Sequence, residues 1–216
     1  MITKEERQAL GTAPFVINIG RSLGSGGRAI GHLLAKEFDI AYYDREILAL
    51  AAKESGFCPE VFEKNDEKNR FLRTLGNIIP FIGGGNTYYD NELSNENLFR
   101  IQSDAIRKAA ADHSCIFIGR CADYVLRDYE RCVNVFITAN MADRIANVMK
   151  WNECTEGKAK ELIEKGDSQR ADFYNFYSSG TWGAASTYHL CINSSVLGNE
   201  ATANLIKDFI IKKLNK

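Results

Sequence analysis

Glycine and arginine dominate a short segment near the start of the chain, Gly24-Ser25-Gly26-Gly27-Arg28, which we call the glycine loop. It lies between an apolar run at 15–19, predicted to be a buried strand, and a helical pattern at 30–38. Glycine lets the backbone turn tightly, so successive N–H groups can point at one phosphate, and the N-terminus of the following helix adds partial positive charge. We therefore predict that Gly24, Ser25, Gly26, Gly27 and Arg28 bind phosphate; the alternative is a flexible turn without a ligand.

Two kinds of phosphate-binding loop compete for this segment. The pattern G-x-G-x-x-A begins at Gly24, and Asp44 follows about 20 residues later, as in dinucleotide-binding folds. The residues between the strand and Gly24 make a longer loop, which favours the kinase type. The kinase pattern G-x-x-x-x-G-K-[ST] is absent, however: with Arg21 at its first position, Gly27 stands where the lysine belongs and Arg28 where Ser or Thr belongs. The loop alone leaves both types open.

Three arginines are candidates for phosphoryl-transfer chemistry, which requires positioning and neutralisation of phosphate charge more than an acid–base pair. A guanidinium group can hold phosphate oxygens with two parallel hydrogen bonds. Arg28 opens the first helix and could replace the missing lysine, Arg120 follows a predicted strand end, and Arg170 lies on a long helix. The alternative for each is a solvated surface charge.

Three carboxylates accompany these arginines. Asp44 ends the second predicted strand, where it could hold Mg²⁺ through water, bind a ribose hydroxyl or cap the next helix. Asp123 follows Arg120 by three residues and could orient it, contact the acceptor or begin a helix. Asp167 precedes Arg170 by three residues and could orient it across one helical turn. The sequence identifies no direct metal ligands.

Short apolar runs alternate with helical patterns along the chain. The predicted strands are 15–19, 40–43, 115–118, 133–137 and 188–192, and the predicted helices are 30–38, 47–52, 98–109, 141–151, 156–174 and 201–214. Residues 56–90 fit no single pattern. This alternation predicts an α/β fold with a parallel sheet covered on both faces, and ligands bind such sheets at the carboxyl ends of the strands.

Composition limits the classes of partner. The chain has 216 residues, which is enough for one sizeable domain. Its composition, with 45% hydrophobic and 25% charged residues, is that of a globular protein and excludes a disordered chain. With 27 basic and 28 acidic residues the net charge is −1, so neither nucleic acid nor an anionic membrane is an expected partner. Any anion site must come from local clustering of basic residues.

Targeting and cysteine patterns point to a reduced compartment. No apolar run approaches the ~20 residues needed to cross a bilayer, and the opening segment MITKEERQAL lacks the apolar stretch of a signal peptide. The six cysteines form no C-x-x-C pair, which argues against a zinc site. We expect a cytoplasmic protein.

Several of these segments resemble the cytidylate kinase-like family, relatives of the bacterial cytidylate kinases among the nucleoside monophosphate kinases. The matching segments are 20–28, 43–46, 118–126, 143–144, 167–170, 173–177, 190–195 and 197–198. The similarity extends over residues 15–214. The resemblance implies a P-loop kinase fold with a five-stranded parallel core formed by 14–44, 113–151 and 188–216. It also implies an acceptor-binding insertion at about 45–112 and an arginine-bearing lid at about 152–187.

The resemblance further implies a kinase that transfers a phosphoryl group from ATP, with Mg²⁺, to CMP or dCMP, so its partners would be small-molecule nucleotides. The glycine loop would hold the donor phosphates. The acceptor-binding candidates are Asp44, Arg45, Arg120 and Asp123, and the lid candidates are Asp167 and Arg170.

The chain departs from the cytidylate kinases in two ways. The loop lysine and the magnesium-binding Ser or Thr are missing, and the arginine beyond the second strand is not matched, because Leu50 falls near that place and Arg45 is the nearest substitute. Other readings therefore remain: a kinase of the same fold for another small molecule, a module that binds nucleotide without turnover, or a dinucleotide-binding oxidoreductase. The oligomeric state is not predicted.

Overall fold

The apolar runs form one parallel sheet. The computed structural model describes residues 2–44 and 95–215, and for 95–98 the backbone only. Within these residues the strands are β1 (Val16–Arg21), β2 (Ala41–Tyr43), β3 (Cys115–Ile118), β4 (Cys132–Thr138) and β5 (Leu190–Asn193). Their order across the sheet is β2-β3-β1-β4-β5, and every neighbouring pair is parallel. The predicted α/β class and five-stranded parallel sheet are confirmed.

Helices cover both faces of this sheet. The described helices are α1 (Lys4–Leu10), α2 (Gly27–Phe38), α3 (Asn95–Asp112), α4 (Ala122–Val125), α5 (Met141–Asn152), α6 (Glu156–Tyr177) and α7 (Gly198–Leu214), with a 3₁₀ turn at Ala185–Thr187. No helix in the described ranges is long and apolar enough to cross a membrane.

Side chains alternate across the central strand, as they must in any β-strand. Ile17 and Ile19 are fully buried in the core that α2 and α7 share with the sheet. Asn18, between them, faces the opposite side, where its Nδ2 donates to Oδ1 of Asn134 at 2.9 Å. Burial of Ile17 and Ile19 in this core therefore determines on which face of the sheet the following side chains of β1 lie.

Several predicted boundaries differ from the structure by one to three residues, among them the starts of β5 and α7. β5 begins at Leu190 rather than 188, because the ring of Tyr188 packs on Phe136 (centroids 5.0 Å apart) before strand pairing starts. α7 begins at Gly198 rather than 201, because its polar first turn carries no apolar periodicity. Neither shift moves the carboxyl ends of the strands.

The described residues fall into two compact units. The first comprises 2–44 and 109–215, and the second includes 95–108. The predicted insertion at 45–112 and the predicted helix at 47–52 lie mostly or wholly outside the described residues, as does Arg45, so these stay predictions. All residues discussed below belong to the first unit.

Candidate phosphate-binding site

The glycine loop follows the central strand β1 and leads directly into α2. Gly24 and Gly26 have φ of +84° and +75°, conformations that side chains rarely adopt. Ser25 turns inward, its Oγ donating to the carbonyl of Ser22 at 2.9 Å, while its own carbonyl accepts from Oγ of Ser194 at 2.7 Å. No described side chain caps the first turn of α2. The N–H groups of that turn have no partners within the helix and can bind an anion.

Two neighbouring helices hold the loop so closely that glycine is required. A Cβ on Gly24 would lie 2.6 Å from the backbone oxygen of Arg144 in α5, and a Cβ on Gly26 would overlap Asn199 in α7. Nδ2 of Asn147 donates to the carbonyl of Gly24 at 2.8 Å. The loop shape is therefore set by packing as well as by its own glycines.

One carboxylate ties α6 to the residue before the loop. Oδ1 of Asp167 accepts from the backbone N–H of Leu23 at 2.7 Å and from Nη1 of Arg170 at 3.2 Å. Arg144 donates to Oδ2 of Asp167 and, through Nε, to the carbonyl of Leu23 at 2.7 Å. The side chain of Leu23 also packs on the apolar cluster between α5 and α6. These contacts place Arg170 beside the glycine loop.

Four guanidinium groups converge at the carboxyl edge of the sheet, and we call Arg21, Arg28, Arg120 and Arg170 the guanidinium cluster. Burial, followed by the neighbouring charges of Arg170, Arg28 and Arg120, lowers the pKa of Arg21 to about 9 against the opposing effect of Asp44. Burial likewise lowers the pKa of Arg170, which Asp167 opposes. Positive charge is therefore concentrated here, although the chain as a whole has a net charge of −1.

Asp44 partly neutralises this cluster from the end of β2. Its Oδ2 lies 2.6 Å from Nε of Arg28, and its Oδ1 lies 3.7 Å from Nη2 of Arg21. Asp44 is 9% exposed. The structure thus pairs two of the predicted site residues, Asp44 and Arg28, with each other.

Arg120 lies in an unusual backbone segment after β3. Gly119, Arg120 and Cys121 have φ of +70°, +64° and +53° in succession. The left-handed conformation costs a non-glycine residue roughly 1–2 kcal/mol, and such strain collects at functional sites. The turn sets Arg120 near Arg21, from a strand adjacent to β1 in the sheet.

Asp123 lies in the first turn of α4, as the helix-start alternative predicted. Its carboxylate accepts a hydrogen bond from the hydroxyl of Tyr174. Burial raises the pKa of Asp123, and burial also raises the pKa of Tyr174. Both residues line a cavity of about 540 Å³ whose described lining includes no residue of the glycine loop. Asp123 therefore supports the packing of α6 on the sheet.

Tyr174→Phe is expected to lower the free energy of unfolding by about 1–3 kcal/mol near neutral pH, because the buried carboxylate of Asp123 loses its donor. Burial raises the folded-state pKa of Asp123 above its unfolded value of about 4, so protonation favours the folded state. The penalty should therefore shrink as pH falls through the raised pKa toward about 4 and be smallest below it. Urea unfolding near neutral pH and near pH ~3.5 measures both effects. Tyr124→Phe, which leaves Asp123 its donor, is the control, and an equal loss in Tyr174→Phe at both pH values would contradict the assignment.

The structure brings most of the predicted site residues together. The glycine loop, Arg28, Asp44, Arg120, Asp167 and Arg170 lie at one edge of the first unit, whereas Asp123 bonds to Tyr174 and Arg45 lies outside the described residues. Arg21 was missed as a site residue. Its signal was its place in the loop pattern, where an arginine occupies the position of the first glycine.

Comparisons with known proteins show the family and the fold of the chain. A sequence model of the cytidylate kinase-like family matches residues 16–196. A crystal structure of an uncharacterized protein from Eubacterium ventriosum is 24% identical, with a TM-score of 0.69 over 91% of this chain and 98% of its own. Shikimate kinase from Bacteroides thetaiotaomicron is 9% identical, with a TM-score of 0.52 over 91% of this chain and 98% of its own. No curated protein sequence matches the chain. The predicted P-loop kinase fold is confirmed.

Proposed function

The chain belongs to the cytidylate kinase-like family, and from this premise we propose that it transfers a phosphoryl group from ATP to a nucleoside monophosphate, with CMP and dCMP as the favoured acceptors. The observation that carries the proposal is the guanidinium cluster beside the glycine loop. A transferring phosphoryl group spreads negative charge over its oxygens, and fixed positive groups stabilise that charge.

The local charge balance supports a multiply charged anion as the ligand. Among the described residues, the cluster and the neighbouring Arg144 face two carboxylates, Asp44 and Asp167, so the described guanidinium groups outnumber the described carboxylates around the loop. Like charges held close together repel, and after burial the charges of Arg170, Arg28 and Arg120 are what lower the pKa of Arg21. A polyphosphate would relieve this repulsion with charge-assisted hydrogen bonds.

Each part of the site then has a role. The N–H groups of the glycine loop and the N-terminus of α2 bind the donor phosphates. Arg120 binds the acceptor phosphate from the end of β3. Arg170, held by Asp167, contacts the transferring phosphoryl group from α6.

The donor base has an apolar surface available beside the loop. Val196 and Leu197 are 74% and 46% exposed, which is unusual for large apolar side chains. They follow Ser194, which donates to the carbonyl of Ser25, and precede Asn199, which borders Gly26. A purine ring stacked there would keep its phosphates within reach of the glycine loop.

The family implies ATP with Mg²⁺, yet the described residues do not fit a metal site held by the protein. Mg²⁺ prefers carboxylate and hydroxyl oxygens. Asp44 faces Arg28 and Arg21, Asp167 faces Arg144 and Arg170, and an arginine stands where the loop Ser or Thr belongs. No group of three metal-binding side chains occurs in the described ranges. Mg²⁺ therefore enters as part of the substrate, MgATP, and the chain contributes guanidinium groups.

The test is ADP formation from MgATP with CMP, dCMP, UMP, AMP and GMP as acceptors. We expect phosphorylation of CMP or dCMP above the background without acceptor, and a loss of about 100-fold or more in kcat/KM for Arg120→Ala. Arg127→Ala, which removes a half-exposed arginine lining the separate cavity near Asp123, is the matched control and should keep full activity.

A second candidate function rests on one observation, the glycine at the lysine position of the loop. A chain that binds ATP but phosphorylates none of these acceptors would be a kinase for another small molecule or a nucleotide-sensing module. Phosphorylation of shikimate or of another hydroxyl acceptor in a wider screen would distinguish the first from the second. Absence of both ATP binding and turnover would overturn the proposal.

A further inference from the structure

Arg21 and Gly27 are sterically complementary. A Cβ built on Gly27 would lie 2.6 Å from Cβ and 3.0 Å from Cγ of Arg21. Real Cβ atoms essentially never approach so closely, so the stem of Arg21 fills the space through which a side chain at position 27 would have to pass. A lysine at 27 and an arginine at 21 exclude each other in this backbone.

The guanidinium group of Arg21 is held in one place. Its Nη1 lies so close to Gly119 that a Cβ there would overlap it, and its Cζ would be 3.3 Å from that Cβ. Its Nη2 is 3.7 Å from Oδ1 of Asp44, and the side chain is 15% exposed. Glycines at 27 and 119 therefore both leave room for Arg21, one for its stem and one for its charged end.

Arg28 is a weaker candidate for the same task. Its side chain is 52% exposed, and its Nε is 2.6 Å from Asp44, so much of its charge is already paired or solvated. Arg21 lies deeper, and its longer contact with Asp44 leaves its charge less fully balanced. Its surroundings include Arg28, Arg120, Arg170 and the carboxylate of Asp44.

We propose that Arg21, at the end of β1, binds the donor phosphates in place of the lysine that kinase-type loops carry at the position of Gly27. The proposal rests on the proposed function, since it takes the glycine loop to hold the donor phosphates. It explains why a loop without its lysine keeps the glycines: the positive charge comes from the strand before the loop instead of from the helix after it. Arginine also adds a planar fork that can hold two phosphate oxygens together.

The test compares four proteins: the wild type, Arg21→Ala, Gly27→Lys and the double variant Arg21→Gly with Gly27→Lys. Binding of MgATP and of inorganic tripolyphosphate is measured by calorimetry, and folding by the midpoint of thermal unfolding. Arg21→Ala should weaken both ligands about 10- to 100-fold, as expected for the loss of one or two charge-assisted hydrogen bonds. The double variant should recover about 10-fold or more of that loss, because Arg21→Gly removes both Cβ and Cγ and so opens a path for the lysine.

Gly27→Lys alone should fold less well or bind worse than the double variant, because its side chain meets the stem of Arg21. A double variant that binds better than Gly27→Lys indicates a phosphate-binding role for Arg21. If Arg21 had only a structural role, a lysine at a different position in the loop would not restore what its loss removes. Arg21→Lys, which keeps the charge in the strand, should retain more affinity than Arg21→Ala and serves if the alanine variant fails to fold.

The outcomes separate this inference from the proposed function. Wild-type affinity in Arg21→Ala, or a folded double variant that binds no better than Arg21→Ala, overturns the role of Arg21. Loss and recovery of tripolyphosphate binding without phosphorylation of any nucleoside monophosphate support that role and contradict the acceptor assignment. Failure of the wild type to bind either ligand overturns both.

Discussion

Gly24→Ala is expected to weaken ATP binding by about 100-fold or more, because displacement of a binding loop by ~1 Å removes several aligned hydrogen bonds at once. The new methyl group would lie 2.6 Å from the backbone oxygen and 2.9 Å from Cα of Arg144. Neither atom belongs to a flexible side chain, so the loop itself must move. Calorimetric titration with MgATP measures the loss, and thermal unfolding shows whether the chain stays folded.

Gly11→Ala is the matched control for this variant. Gly11 has a φ of +69°, close to the +84° of Gly24, but a Cβ there would meet nothing within 4 Å. With its ψ of −171°, Gly11 lies in a backbone region almost confined to glycine, so Gly11→Ala should carry backbone strain of about 1–3 kcal/mol and leave ATP binding unchanged. Wild-type affinity in Gly24→Ala would show that the glycine loop does not hold the donor.

Asp167→Ala is expected to destabilise the fold by about 3–5 kcal/mol and to reduce turnover about 100-fold or more. Three donors lose their acceptor: the backbone N–H of Leu23 and the guanidinium groups of Arg144 and Arg170. The side chain of Arg144 is only 9% exposed, so it becomes a buried charge without a carboxylate partner. Urea unfolding measures the first effect, and kcat with saturating ATP and acceptor measures the second.

Two further variants separate stability from catalysis. Asp172→Ala removes an exposed carboxylate from the same helix and should change neither quantity. The double replacement Arg144→Leu with Asp167→Leu removes both members of the buried pair, so it should recover part of the stability, although the N–H and carbonyl groups of Leu23 still lose these partners. It should not recover turnover, because Arg170 still lacks Asp167. Full turnover in a folded Asp167→Ala protein would show that the position of Arg170 does not matter for the reaction.

Several features of this protein follow from local sequence. β3 is a continuous apolar run because all four of its residues are buried on both faces of a parallel sheet. The glycine loop was located correctly between β1 and α2, because only glycine accepts the positive φ of Gly24 and Gly26 beside other backbone atoms. The i, i+3 spacing of Asp167 and Arg170 likewise requires only a helix to bring the two side chains together.

Which residues form the candidate site is determined by contacts between segments that are distant in the sequence. Arg21, Arg120 and Arg170 come from two strand ends and a helix, and only the order of the strands brings them together. Asp123 accepts a hydrogen bond from Tyr174, fifty-one residues away, a partner that local spacing does not indicate. The periodicity of a helix or strand cannot predict such pairs. It indicates which face of the element is buried, but not which residues of other elements contact that face.

Arg21 and Gly27 illustrate most clearly the difference between what local sequence predicts and what tertiary contacts determine. The sequence alone determined that the loop has glycines and lacks a lysine, and it predicted the parallel sheet that carries them. Only the tertiary structure decided that the stem of Arg21 fills the space beside Gly27 and that its guanidinium group lies against Gly119. The physical reason is that steric exclusion and charge repulsion act over a few ångströms in space, between residues that the chain itself keeps far apart.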